Sequence, residues 1–132
     1  AAMYKPYHLI GLELGISVAS VGLRNEPTGA PKVFCGDVVS VAKRDLKAGE
    51  MLDGEGGYMV YGKLMPARDS LTLSGLPIGL AHGVKLKKSI REGVPVTWND
   101  VVVNEDSPAV RFRREMEMLF GMEFRTAALP VK

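Results

Sequence analysis

Residues 4–8, with the sequence YKPYH, concentrate groups that could bind an anion and exchange a proton. Lys5 would supply a positive charge, and His8 carries an imidazole, the side chain that exchanges protons near neutral pH. Together with Tyr7, these residues are candidates to face a phosphorylated or carboxylated substrate. The alternative, which we favour, is that Tyr7 and His8 stabilise the start of a helix at a domain junction.

A second candidate lies in residues 79–88, GLAHGVKLKK, where His82 stands before a glycine and Lys85 follows. His82 in a turn could hydrogen-bond backbone carbonyls, or it could face a ligand together with Lys85. A single histidine with no cysteine or second histidine nearby lacks the pattern of a zinc site. We favour the backbone role and keep His82 and Lys85 as candidate substrate-facing residues.

Two acidic residues stand among glycines in residues 52–63, LDGEGGYMVYGK. Asp53 and Glu55 could chelate a hard cation, with backbone carbonyls completing the coordination shell. The segment lacks the spacing of a calcium loop, however, and two carboxylates alone make a weak site. We therefore predict a sharp chain corner made by the glycines, with both acids solvated, and no metal site.

The composition limits the classes of function. The 132 residues are 46% hydrophobic and 24% charged, which fits one globular domain with a single core. With 17 basic and 15 acidic residues, the net charge of +2 is too balanced for a general nucleic-acid footprint. The only cysteine, Cys35, excludes an internal disulfide, fits a reducing cytoplasm, and has no histidine or charged residue beside it to activate a thiol. We expect a cytoplasmic protein that binds no nucleic acid.

A pattern of basic, aliphatic and glycine residues occurs twice, in residues 42–56, AKRDLKAGEMLDGEG, and again in residues 86–100, LKKSIREGVPVTWND. The matches fall at one constant offset: Lys43 with Lys87, Arg44 with Lys88, Leu46 with Ile90, Lys47 with Arg91, Gly49 with Gly93, and Leu52 with Val96. The pattern predicts two similar turns in which glycine supplies a positive φ angle. Single-stranded nucleic acid would need stacking aromatics beside these charges, but aromatics make up only 7% of the chain and Trp98 has an apolar setting that suggests core. The charges therefore keep the turns solvated.

Residues 9–23, LIGLELGISVASVGL, are the most apolar segment and predict a helix covered on more than one face. The segment is too short to span a bilayer comfortably and carries Glu13 in its middle, so we expect no membrane insertion. Small residues at four-residue spacing would let another backbone approach closely: Gly11, Gly15 and Ala19. We expect a buried helix, covered where necessary by a further domain or a second subunit, followed by an exposed linker at residues 24–32.

Strand signals dominate from Val33 onward, with glycine-containing turns between them. The predicted strands lie in residues 38–43, 58–64, 83–88 and 96–103. A final helix begins at Ser107, a good N-cap, with Pro108 in the first helical position. Its predicted apolar stripe consists of Ala109, Phe112, Met116, Leu119 and Phe120. We predict that Arg113 and Arg114 pair with Glu117 on the solvated side of this helix.

The repeat and the segment LPIGLAHGVKLKK resemble the SAF domain, the β-clip fold of antifreeze-like proteins, of the C-terminal part of sialic acid synthases and of flagellar P-ring assembly proteins. The resemblance implies a mainly β fold class: a β-clip domain with an N-terminal apolar helix and a C-terminal amphipathic helix. Residues 33–132 would form this domain. Residues 1–32 would be the helix and linker from the end of a preceding catalytic domain.

A longer pattern resembles a narrower group. YKPYHLIGLELGISVASVGLRNEPTG, then DVVSVAKRDLKAGEMLDGEGGYMVYGKLMPA, then LPIGLAHGVKLKK, resembles the C-terminal region of homoserine dehydrogenase-like NAD(P)-dependent oxidoreductases, including those similar to 1-deoxy-D-xylulose-5-phosphate reductoisomerase. Such proteins place a Rossmann domain first, a catalytic and dimerising part second, and the SAF region last. This chain has no GxGxxG motif after a strand, so the domain that binds NAD(P) is absent from it.

The resemblance implies an architectural role in closing the substrate cleft and forming a homo-oligomer, with no catalysis and no cofactor in this chain alone. The missing methionine start fits a chain cut from something longer. The alternative is a stand-alone SAF module that binds a sugar or an assembly partner. The two hypotheses differ in the helix of residues 9–23, which would pack fully within a self-contained module.

Overall fold

The computed structural model describes residue 4, residue 6, residues 10–29 and residues 32–127. The chain divides into two compact units, Ala1–Val33 and Phe34–Lys132, each of which is described by itself. No helix among the described residues is long and apolar enough to cross a lipid bilayer.

Helix α1, Ile10–Arg24, is the regular element of the first unit. It ends where Asn25 adopts a left-handed conformation with a φ of 54°, which asparagine tolerates better than most residues. The amide of Asn25 bonds the carbonyl oxygen of Val21 at 3.0 Å, and the amide of Glu26 bonds that of Ser20 at 3.4 Å. The bond from Asn25 to Val21 is that of an αL motif, which satisfies the Val21 carbonyl and ends the helix close to the predicted end at Leu23.

The apolar side chains that the structure describes in residues 14–23 of α1 are exposed, so the first unit does not itself supply the cover that the sequence predicts for this helix. Leu23 is 86% exposed and Ile16 66%. The exposed set covers opposite sides of the helix: Leu14, Ile16, Val18, Val21 and Leu23. Cover by a further domain or a second subunit stays a prediction, because the pattern shows that the helix needs cover and not which polypeptide supplies it.

The second unit is mainly β, with helices at its middle and end. Its strands are β1 (Gly36–Ala42), β2 (Met51–Asp53), β3 (Val60–Pro66), β4 (His82–Leu86) and β5 (Val101–Val102). Its α-helices are α2 (Ala67–Leu73) and α3 (Pro108–Ala127), and short 3-10 helices occupy Ile78–Leu80 and Trp98–Asp100. This arrangement confirms the predicted β-clip fold class with helices at both ends of the chain.

Two antiparallel sheets organise the strands. One pairs β1 with β3, in a register running from Gly36 opposite Pro66 to Ala42 opposite Val60. The other has the order β2-β4-β5. The free edge of β1 does not face solvent, because Ser40 bonds Leu76 and Val96 there through its backbone. The first sheet is therefore closed on its β1 side by later parts of the chain.

The two copies of the sequence repeat meet across a local two-fold axis. Leu46 and Ile90 exchange both backbone hydrogen bonds, at 2.8 and 2.9 Å. The amide of Gly49 bonds the carbonyl oxygen of Leu86, and the amide of Gly93 bonds that of Ala42 in the equivalent way. The repeat is thus a single fold element used twice, as the sequence predicts.

Side chains follow the same symmetry. Ser89 Oγ accepts the amide of Ala48 at 3.2 Å, and the Asp45 carboxylate accepts the amide of Glu92 at 2.9 Å. The φ angles of 90° at Gly49 and 74° at Gly93 confirm that both turns need glycine. Each turn is therefore held by a side chain that the other turn supplies.

The core lies between the sheets and the repeated turns. Both members of the matched pairs Leu46 with Ile90 and Leu52 with Val96 are buried in it, and Trp98 is 4% exposed, which confirms its predicted core position. The remaining members of the cluster are Ala42, Met59, Val60, Leu76, Ala81, Leu86, Val101 and Val110.

Two parts of the secondary-structure prediction need correction. The strand predicted for residues 96–103 is only two residues long, because Thr97 and Asp100 form a capping box that starts the 3-10 helix Trp98–Asp100. Helix α2 was not predicted. It begins at Ala67, whose amide donates to the backbone carbonyl oxygen of Cys35 at 2.9 Å. It ends at Ser74, whose φ of 56° stops the helix.

The predicted face of α3 is wrong. Phe112 is 75% exposed and Leu119 is 54% exposed, whereas Val110 is buried at 5%. The side chains of Arg113 and Glu117 are only 12% and 14% exposed, so the predicted solvent pair lies against the domain instead. The charged residues of α3 do not mark its solvent-exposed face, because Arg113 and Glu117 form ion pairs on the face that packs against the domain.

Candidate functional site

The candidate site combines the loop between β2 and β3 with the start of β4. The predicted residues Lys5, Tyr7 and His8 lie outside the described residues. Tyr4, which precedes them, is 90% exposed. The structure therefore places two of the five candidate substrate-facing residues, His82 and Lys85.

Asp53 organises the loop. Its carboxylate accepts the amide of Tyr58 at 2.5 Å and that of Met59 at 3.1 Å. A Cβ on Gly57 would overlap the Asp53 carboxyl group, so only glycine leaves room for the carboxylate. The sharp glycine corner predicted from the sequence is present, but Asp53 caps the corner instead of being solvated.

These contacts determine whether Asp53 and Glu55 can bind a metal ion. Both Asp53 oxygens accept backbone hydrogen bonds, which leaves the carboxylate poorly placed to chelate a cation. Within the described part of the chain, His, Cys, Asp and Glu side chains form no group of three that could hold a metal. Glu55 is exposed beside the corner.

His82 is fixed against this corner. Its Nδ1 lies 3.0 Å from the carbonyl oxygen of Asp53. Since a carbonyl only accepts, Nδ1 donates its proton there, and the neutral ring carries its lone pair on Nε2. A Cβ on Gly54 would lie 2.8 Å from His82 Cβ, so the corner and the histidine are in close contact. The backbone role favoured for His82 is present, and the ring is still exposed.

Lys85 is exposed on the same strand as His82. The register of β2 with β4 pairs Asp53 with His82 and Met51 with Lys85, with a bulge between the two pairs. Lys43, from the first copy of the repeat, donates from Nζ to the carbonyl oxygen of Gly57 at 2.5 Å. His82 and Lys85 each present an exposed polar side chain on β4, and such side chains suit binding better than catalysis.

Comparison with protein families matches residues 37–102 to the SAF domain, which is half of the chain. The chain belongs to the SAF domain family. No curated protein matches it. The matched residues run from Asp37 in β1 to Val102 at the end of β5 and include the corner, His82, Lys85 and both repeated turns.

The SAF domain is joined to α3, beyond the matched residues, by a network of which the sequence predicted only the pairs of Arg113 and Arg114 with Glu117. Arg113 donates to both oxygens of Asp37, at 3.0 and 2.5 Å, and Asp37 also accepts the hydroxyl of Ser70. Burial alone raises the pKa of Asp37, but the hydrogen bonds from Arg113 and Ser70 outweigh it and hold the pKa below its usual value. A bidentate pair of this kind fixes α3 in one orientation.

Glu117 extends the network from the SAF domain along α3. It accepts Arg113 Nε at 2.7 Å, the indole of Trp98 at 3.0 Å and Arg114 at 3.0 Å. The Arg114 guanidinium lies 3.9 Å from the centre of the Trp98 ring. The spacing of Arg113 and Glu117 is visible in the sequence, but only the buried partners, Asp37 and Trp98, reveal which face carries them.

Proposed function

We propose that this chain is the C-terminal SAF domain of a cytoplasmic NAD(P)-dependent oxidoreductase resembling homoserine dehydrogenase. In the proposed protein, a Rossmann domain binds NAD(P) and a central domain carries the catalytic residues. Residues 33–132 are the SAF domain, and residues 1–32 belong to the end of the central domain. The SAF domain packs on the catalytic domain, helps to close the substrate cleft and contributes to a homo-oligomer, without catalysis of its own.

The observation that carries the proposal is the exposure of α1. Apolar side chains on opposite sides of the helix are exposed, including Leu14, Ile16 and Leu23 at 62%, 66% and 86%. Burial of apolar surface stabilises by about 25 cal/mol per Å², so an uncovered helix of this composition forgoes several kcal/mol. Contact with a preceding catalytic domain would recover this free energy.

The chemistry that the resemblance implies is hydride transfer, linked in the reductoisomerase-like proteins to isomerisation of a sugar phosphate. Lys5 would contact an anionic group of the substrate, and Tyr7 and His8 would lie beside it. His82 and Lys85 would face the same anion from the SAF side of the cleft. The exposure of both side chains on β4 supports this second assignment.

A second candidate function is a stand-alone SAF module for a sugar or an assembly partner. The observation that favours it is the closed core of the second unit, with thirteen buried apolar residues and α3 fixed by Arg113 and Glu117. A domain with its own core can fold without the rest of a parent enzyme. The two functions differ in whether ligand binding needs further domains.

Titration with NADH and NADPH tests the first function. We expect the 132-residue chain to bind neither nucleotide, and the longer protein that contains it to bind one of them. Tight binding of either nucleotide by the 132-residue chain alone would contradict the proposal that a separate Rossmann domain binds NAD(P). In the longer protein, Lys85→Ala should raise KM with little change in kcat, whereas Lys47→Ala, a matched exposed lysine in the first repeat, should leave both unchanged. Equal effects of the two variants would remove Lys85 from the substrate cleft.

A further inference from the structure

Three residues of the SAF domain form the seat of helix α3: Asp37, Ser70 and Trp98. Asp37 is 7% exposed and is oriented by two partners outside α3, since the amide of Val38 donates to Oδ1 at 3.0 Å and the hydroxyl of Ser70 donates to Oδ2. The backbone amide of Trp98 donates to the carbonyl oxygen of Ser74 at 3.0 Å. The SAF domain therefore places the α3 seat through contacts of its own.

The α3 seat recognises arginine side chains. Arg113 donates to both oxygens of Asp37, and the Arg114 guanidinium lies 3.9 Å from the centre of the Trp98 ring. A planar guanidinium can bind a carboxylate through two parallel hydrogen bonds and can stack on an aromatic face, whereas a lysine ammonium lacks this fork. The indole of Trp98 also donates to Glu117 at 3.0 Å. The ligand of the seat is therefore a helix with two adjacent arginines, followed three residues later by a glutamate.

Helix α3 fills this seat but adds little to the core. Among the described residues, Val110 is the one member of the core cluster that α3 contributes, and the other members lie in residues 42–101. Three large apolar side chains of α3 are exposed: Phe112, Met118 and Leu119. When α3 leaves, the charges of Arg113 and Asp37 return to water, so the desolvation cost of burying them is recovered. Release of α3 can thus cost less free energy than unfolding of the whole domain.

We propose that the α3 seat also binds α3 of a second copy, so that two copies exchange this helix. A second copy is the occupant that fits, because its helix carries the same arginines and glutamate and makes the same contacts. The segment that would change course, residues 104–106 between β5 and α3, is exposed. The three seat residues lie within the residues matched to the SAF family, and α3 lies beyond them. This inference rests on the oligomeric role proposed above and names the contact that performs it.

The chain's own helix competes for the seat. A segment held by a short linker has an effective concentration of about 1 mM, so α3 of a second copy displaces an intact helix only at high protein concentration. A copy whose own α3 lacks Arg113 should accept the second helix far more readily. The exchange can therefore be measured by mixing a copy that has an impaired helix with a copy that has an impaired seat.

Sedimentation equilibrium of such mixtures tests the proposal. Arg113→Ala keeps the seat but removes the arginine that binds Asp37, and Asp37→Asn keeps α3 but removes the charge from the seat. We expect these two variants to form a heterodimer with a dissociation constant about a hundredfold lower than that for self-association of either variant, because loss of one partner of a buried charge pair weakens binding to this degree. Arg111→Ala is the matched control, since it removes an exposed arginine and leaves α3 in its own seat. Its mixture with Arg113→Ala should form no such complex.

Hydrogen exchange of the wild type gives a test that does not depend on the folding of any variant. The amides of α3 should exchange through an opening of lower free energy than those of β1. Equal protection of α3 and β1 at the level of global unfolding, a mixture as monomeric as its components, or equal binding of Arg111→Ala and Asp37→Asn to Arg113→Ala would each overturn the exchange. None of these results would bear on nucleotide binding by the longer protein, so the proposed function would be judged separately.

Discussion

Leu46 and Ile90 exchange both of their backbone hydrogen bonds across the local two-fold axis of the SAF domain, at 2.8 and 2.9 Å. Their side chains, 1% and 6% exposed, lie in one core cluster. The two turns of the repeat thus share this central contact, and neither turn is complete without the other.

Truncation of either residue should destabilise the domain to a similar degree. Leu46→Ala and Ile90→Ala each leave a cavity in the core and should lower the free energy of unfolding by about 2–5 kcal/mol. The double variant should lose less than the sum, since the two residues share one packed cluster. Urea denaturation measures all three, and Val102→Ala, at a side chain 54% exposed, is the control that should change little.

The ion pair that fixes α3 should be sensitive to loss of either member. Asp37→Ala leaves Arg113 buried without its bidentate partner and should lower the free energy of unfolding by about 3–5 kcal/mol. Arg111→Ala removes an exposed arginine from the same helix and should change stability by no more than about 0.5 kcal/mol. Equal losses in the two variants would show that α3 is not held through Asp37.

Acid should weaken the domain through Asp37 and Asp100. Burial raises the pKa of Asp100, but Lys88 and Thr97 outweigh it, so the pKa values of both carboxyls lie below their usual 3.8. The ionised forms therefore stabilise the folded state at neutral pH, and that stability is lost as pH falls from about 4 through the lowered pKa values. Urea denaturation between pH 7 and pH 2 should show a flat region followed by a decline.

Asp37→Asn provides the matched comparison for this pH series. Asparagine keeps the shape of the side chain but does not titrate in this range, so the variant should be less stable at neutral pH and decline less steeply in acid. An unchanged acid slope would assign the titration to other carboxyls.

Alanine substitutions at three glycines should differ in their effect on stability according to the space available to the added methyl group. Gly57→Ala drives a Cβ into the Asp53 carboxylate and should cost the most stability. Gly56→Ala meets open space but keeps a φ of 77°, a strain of about 1 kcal/mol for alanine. Gly79→Ala has open space and no positive φ, so its thermal midpoint should match wild type. A different order of stabilities would contradict the role of Asp53 in capping the corner.

The repeat was the most predictable part of the fold. Glycine at Gly49 and Gly93 has a local cause, the positive φ of each turn, and local causes are visible in sequence. The aliphatic pair Leu46 and Ile90 could be matched by residue type and spacing because both turns impose the same burial.

The face of α3 could not be predicted, because its determinants lie far away in the chain. A pattern of charged residues marks the solvent-exposed face of a helix only when these residues have no buried partners. Arg113 has such a partner, because it pairs with Asp37 at the start of the first strand. The same limit applies to Asp53, whose role depends on the amides of Tyr58 and Met59. His82 could be identified as a residue of interest, but its contact with the Asp53 carbonyl required the strand register.

The local two-fold axis has a consequence for how the domain folds. Every hydrogen bond across it, from Gly49 with Leu86 to Gly93 with Ala42, joins residues far apart in the sequence, so neither turn can be completed early by itself. Long-range contacts of this kind delay folding, because loop-closure entropy is lost before the contacts form. Folding should therefore depend on one late event, the meeting of Leu46 and Ile90, and the rate of that meeting would set the folding rate of the whole SAF domain.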